Sequence, residues 1–161
     1  MRKFGKIIEW VLDKLKIAGA ACLVLMTLLT CIDVAGRLVR HPIFGSVELV
    51  TFMATLSVAM ALPYTHHVKG HIGVEILVRM LSERTQAVMD LCTGILSLIL
   101  FAIITWQMTL YARTLQAAGE LSISLKFPEY GIIYAVAFCL LIFTLIILHD
   151  ILDILLKLRK K

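Results

Sequence analysis

The apolar residues of this chain fall into four long blocks, a pattern that constrains the fold more than any motif. The blocks cover residues 17–39, 47–67, 86–113 and 130–152. Each is about the 20 residues that a helix needs to cross a hydrocarbon core about 30 Å thick. Lipid offers backbone N–H and C=O groups no partners, so such blocks must satisfy their own hydrogen bonds as helices. Composition agrees: 60% of the 161 residues are hydrophobic and mean hydropathy is +0.94, whereas a soluble domain is nearer half apolar. The expected fold is an all-α integral membrane protein. It forms a single membrane domain over residues 1–161, with four transmembrane helices plus short interfacial amphipathic helices.

A net charge of +5 would suit nucleic acid, but the basic residues sit at the ends of the blocks, where they set membrane orientation. The expected surroundings are membrane lipids, with no nucleic-acid partner. If the N-terminus is inside, twelve of the sixteen Lys and Arg residues fall on inner segments. Only Arg37, Arg40, Arg113 and Lys126 fall on outer ones. This bias predicts cytoplasmic N- and C-termini. No small-residue cleavage site follows the basic start, so no cleaved signal is expected. Cys22, Cys31, Cys92 and Cys139 all lie in apolar blocks without metal-ligand spacing and read as small hydrophobes.

Two flanking stretches are amphipathic. Residues 1–16 place Phe4, Ile7, Ile8, Val11, Leu12 and Leu15 on one face, the pattern of a helix lying in the interface. Residues 72–81 predict a short surface helix with Glu75 and Arg79 four apart, and Ser82 is placed to cap the third helix. Between them, Pro63 is expected to kink or end the second helix.

The join between the first two blocks is the most chemically distinctive stretch. Asp33 and Arg37, four apart, form a favourable helix pair that neutralises two costly charges. Pro42 and Gly45 break the helix. Ser46 is placed to cap the next one, and Glu48 sits in its first turn, where the helix dipole favours an anion. The hexapeptide Arg40–Gly45, RHPIFG, is echoed by KFPEYG at Lys126–Gly131 on the same outer side. An old duplication accounts for this, and so does chance.

A carrier working alone needs a midplane site, usually an intramembrane acid or broken helices in corresponding spans. Here no acid occupies the middle of a block. The pattern is that of a packed scaffold, with no catalytic, cofactor or metal residue expected. The alternative is a haem-binding four-helix membrane anchor of an oxidoreductase. His66, His67 and His71 end the second block and His149 lies near the end of the fourth, and imidazole is an axial haem ligand. Histidines at span ends are also ordinary interfacial residues.

The chain resembles the small membrane subunit (the Q, or DctQ-like, subunit) of tripartite ATP-independent periplasmic (TRAP) transporters. Asp33-x-x-x-Arg37 followed by Pro42-x-x-Gly45-Ser46-x-Glu48-Leu49 is similar to that family's first hairpin. His71-Ile72-x-Val74-Glu75-x-Leu77 is similar to its motif after the second span, and Gly119, Ser122 and Pro128 to its third connection. Tyr130 departs from the family's frequent Trp, and a second Pro early in the last span is absent. The resemblance implies a non-enzymatic subunit of the bacterial inner membrane. It would support a large membrane subunit that carries the substrate and sodium sites. It would also help dock a periplasmic substrate-binding protein that delivers an organic acid of the sialic acid or C4-dicarboxylate type. The interface or docking candidates are Asp33, Arg37, Arg40, Pro42, Gly45, Ser46, Glu48, His71, Glu75, Lys126, Pro128 and Glu129.

Overall fold

The computed structural model describes residues 2–68 and 83–159, with the side chains of 2–7, 83, 84, 87 and 157–159 outside that description. Four helices make up the fold: α1 (Arg2–Leu38), α2 (Ser46–His67), α3 (Glu83–Ala118) and α4 (Glu129–Arg159). All four are long and apolar enough to cross a membrane. The protein is an all-α, multi-pass membrane protein. The predicted surface helix at 72–81, the Ser82 cap, and the motif residues His71 and Glu75 lie outside the described residues.

Two expectations are corrected. The segment 1–16 is not a separate element, because α1 runs unbroken from Arg2 to Leu38. No proline interrupts it, and its apolar face is used in packing. Leu12 is 1% exposed, and Leu15 leans on the core formed by Ala59, Val136, Cys139 and Leu140. At 1.5 Å per residue α1 is about 55 Å long, well beyond the bilayer core. Nor does Pro63 end α2, which continues to His67 with the ring fully buried. Proline removes one backbone donor, yet the helical hydrogen bonding resumes beyond it as far as His67.

The helices pack in the order α1–α2–α4–α3. Two hairpins, α1–α2 and α3–α4, meet along α2 and α4. Within the first hairpin the backbones approach closely at Gly19, where a Cβ would lie 3.3 Å from Met60 Cβ and from the Ser57 carbonyl oxygen. The buried Ser57 hydroxyl donates to the Gly19 carbonyl at 3.0 Å. Small residues at such crossings let backbones approach, and that packing replaces the hydrophobic drive that lipid does not supply. In the second hairpin Phe101 and Phe143 meet edge to face at 4.5 Å. Phe143, Ile147 and Ile151 form the core there.

Candidate functional site

Both short connections, 39–45 and 119–128, lie at one end of the array, here called the hairpin end. The first is built on a helix stop. Arg40 has φ 60, its N–H bonds the Arg37 carbonyl at 3.2 Å, and the His41 N–H bonds the Gly36 carbonyl at 2.8 Å. This is the paired closure of a Schellman motif, with Arg40 where glycine is usual. The left-handed conformation costs a non-glycine residue about 1–2 kcal/mol. Gly36 is needed beneath it, because a Cβ there would collide with the His41 carbonyl oxygen.

Asp33 ties this turn down. Its carboxylate accepts from Arg37 Nε at 2.9 Å and from the Ile43 N–H at 2.9 Å. Asp33 is 5% exposed, and the buried Ser46 faces the same carboxylate. The predicted pair is therefore present, and it does more than neutralise charge: it fixes where the chain re-enters at α2. Ser46 is not the cap of α2. That position belongs to Gly45, at φ 74 with no side-chain cap bond. Only glycine suits it, since a Cβ would stand 2.6 Å from Leu125 Cγ and the backbone is left-handed.

Glu48 does not act only as a helix-start anion. Its carboxylate crosses to the other hairpin, accepting the Ser122 hydroxyl and the N–H groups of Ser124 at 2.7 Å and Leu125 at 3.0 Å. The connection it grips is itself folded. Gly119 (φ 65) closes α3, with the Glu120 N–H bonding the Leu115 carbonyl at 3.2 Å. Ser122 N–H bonds the Phe127 carbonyl at 2.9 Å, and Leu121 bridges Pro128. Phe127 stacks near Phe52 at 6.5 Å. The two connections thus form one cap, with the acid at its centre.

Among the described residues, the charges left free on and beside that cap are of both signs, with the acid Glu120 exposed among them. Arg40, Arg113 and Lys126 are exposed and make no ion pair among the described residues. Lys126, like Arg40, stands two residues before a proline in left-handed backbone, at φ 51. The sequence echo therefore extends to backbone shape. Pro42 is exposed, and Pro128 and Glu129 are half-buried.

At the opposite end the polar groups pair within the chain. Lys16 sits over the Tyr64 ring at 4.5 Å and against Asp13 at 3.5 Å. His66 Nε2 is 3.4 Å from Asp150, and His149 Nδ1 is 3.8 Å from both Asp150 and Asp153. His66 also packs on the Phe143 edge at 5.4 Å. Of the four histidines in the haem reading, His66 and His149 thus share one carboxylate, and the His66–Asp150 pair joins α2 to α4. Asp150, which the sequence did not single out, makes that junction. Its position one turn before Asp153 was the available signal.

Comparison with protein-family models finds a match over residues 26–157 to "Tripartite ATP-independent periplasmic transporters, DctQ component". Comparisons with curated proteins and with solved structures find no match. The matched stretch takes in both connections, the Glu48 grip and all of α2 and α3. The chain therefore belongs to the DctQ family and is a multi-pass membrane component of a tripartite ATP-independent periplasmic transporter.

Proposed function

We propose that this chain is the scaffold subunit of a TRAP-type secondary transporter of the bacterial inner membrane. Its hairpin end faces the periplasm and both termini are cytoplasmic. It braces the large membrane subunit, to which the substrate and coupling sodium sites are assigned. Its cap helps seat a periplasmic binding protein that brings an organic acid of the sialic acid or C4-dicarboxylate type. The lysine and arginine bias supports the orientation. The observation that carries the docking role is the cap itself: Glu48 fastens the two connections, and Arg40 and Lys126 stand exposed on it with no ion pair among the described residues. The exposed Arg40 and Lys126 suit a partner that presents acidic side chains. Such exposed charges mainly steer association and are screened by salt.

The test is uptake in proteoliposomes measured against binding-protein concentration. Arg40→Glu and Lys126→Glu are expected to leave the complex intact by size exclusion. They should raise the binding-protein concentration needed for half-maximal uptake, most clearly at low salt. Unchanged concentration and salt dependence in both variants would remove the docking role.

A further inference from the structure

The spanning part of α3 contains a polar group that no described residue satisfies. Thr93, Thr105 and Thr109 each return the hydroxyl to the carbonyl four residues back. Gln107 has no such recourse. Its side chain is exposed, and its carboxamide makes no hydrogen bond among the described residues. The residue lies six positions before Arg113, about 9 Å deeper at 1.5 Å per residue, inside the uncharged stretch 91–112. A side chain of this length does not reach the interface from there. Next to it, Trp106 is 66% exposed and its indole N–H is also unpaired among the described residues.

The face concerned points away from the rest of the protein. Phe101, Ile104 and Met108 turn toward the core, and Ala112 is fully buried. Gln107 lies on the other side, with Ile103 and Leu110 exposed beside it. The outer face of α1 is different. Val24, Leu25, Leu28 and Ile32 are exposed there, and Thr27 and Thr30 bond their own helix. Hydrocarbon suits that face, but it leaves an amide unpaired, and hydrogen bonds between helices are the usual remedy.

From this we infer that the Gln107 face of α3 is where the large membrane subunit packs. A transmembrane helix of that subunit presents a hydrogen-bonding side chain or an open carbonyl to the carboxamide. The inference rests on the scaffold reading and adds to it the helix, the depth and the contact residue.

The test uses the full chain expressed with its large subunit in native membranes. A photo-crosslinking amino acid is placed at position 103, 107 or 110. The expected product is an adduct with the mass of this chain plus the large subunit. Gln107→Leu, which keeps the surface apolar, is expected to weaken the purified complex about threefold, the scale of one interhelical hydrogen bond in a membrane. Gln107→Asn should retain part of that affinity. If the complex forms but all three positions yield only lipid adducts, or only a second copy of this chain, the assignment is wrong while the scaffold reading stands. Full complex stability in Gln107→Leu also overturns it. If the wild-type chain does not co-purify with the large subunit, the scaffold reading itself fails.

Discussion

Gly36→Ala separates local helix propensity from the geometry of the α1–α2 turn, because the two predict opposite signs. Inside a helix, replacing glycine by alanine is worth about 1 kcal/mol in favour of folding. Gly36 lies within α1, so propensity alone predicts a more stable protein. The structure predicts the reverse. The added Cβ meets the His41 carbonyl oxygen, a backbone atom with no rotamer to escape into. To relieve the collision the turn must move, and with it the bonds that the Gly36 carbonyl accepts from Val39 at 3.1 Å and His41 at 2.8 Å. Two such bonds are worth about 1 kcal/mol each, and leaving a carbonyl unsatisfied adds about 1–3 kcal/mol. Set against the propensity gain, the net expectation is a loss of about 2–4 kcal/mol. The assay is a thermal melt in detergent, followed by thiol labelling of Cys139, which is 3% exposed in the folded protein, in a background that lacks Cys22, Cys31 and Cys92. Gly131→Ala is the control: a Cβ there meets nothing within 4 Å, and a gain of about 0.5–1 kcal/mol is expected. If Gly36→Ala melts at or above the wild-type temperature, the turn yields without cost and the reasoning fails.

Three further outcomes follow from the same geometry. Glu48→Ala should free the 119–128 connection, seen as greater mobility of a spin label at Ile123, which is 95% exposed, while helix content stays unchanged; an immobile label would show that the grip is dispensable. Phe44→Cys and Ile123→Cys should react with an impermeant thiol reagent from the periplasm in a cysteine-free background, and Lys160→Cys only after permeabilisation; the reverse pattern would invert the assigned orientation. Phe143→Ala removes the edge contact with Phe101 at 4.5 Å from a residue that is 4% exposed, and should cost about 3 kcal/mol in the same thermal melt, with no loss counting against the α3–α4 core as drawn.

Hydropathy over contiguous windows was enough to read four spanning helices, because the membrane requirement acts on every residue of a segment and on each segment separately. The Asp33–Arg37 pair was legible for a similar reason, since partners four apart on one helix need no tertiary information. Glu48 was not. An acid in the first turn of a helix has the same sequence signature whether it faces the dipole or grips another loop, and its actual donors lie 74 to 77 residues away. Ser46 was misassigned as a cap for a related reason. Gly45 takes the left-handed position, and Leu125 from the other hairpin fills the space over it. The order α1–α2–α4–α3 and the closeness of Gly19 to Ser57 were equally hidden. So was the contrast between the self-bonded threonines and Gln107, which has no partner among the described residues and whose exposure emerges only once the faces of α3 are known. The sequence by itself determined that the chain crosses the membrane four times, because that depends on the transfer of each segment into lipid. Which polar groups are spent inside the protein, and which are left for a partner, was decided only when the two hairpins docked, because a hydrogen bond depends on where both of its ends lie in space.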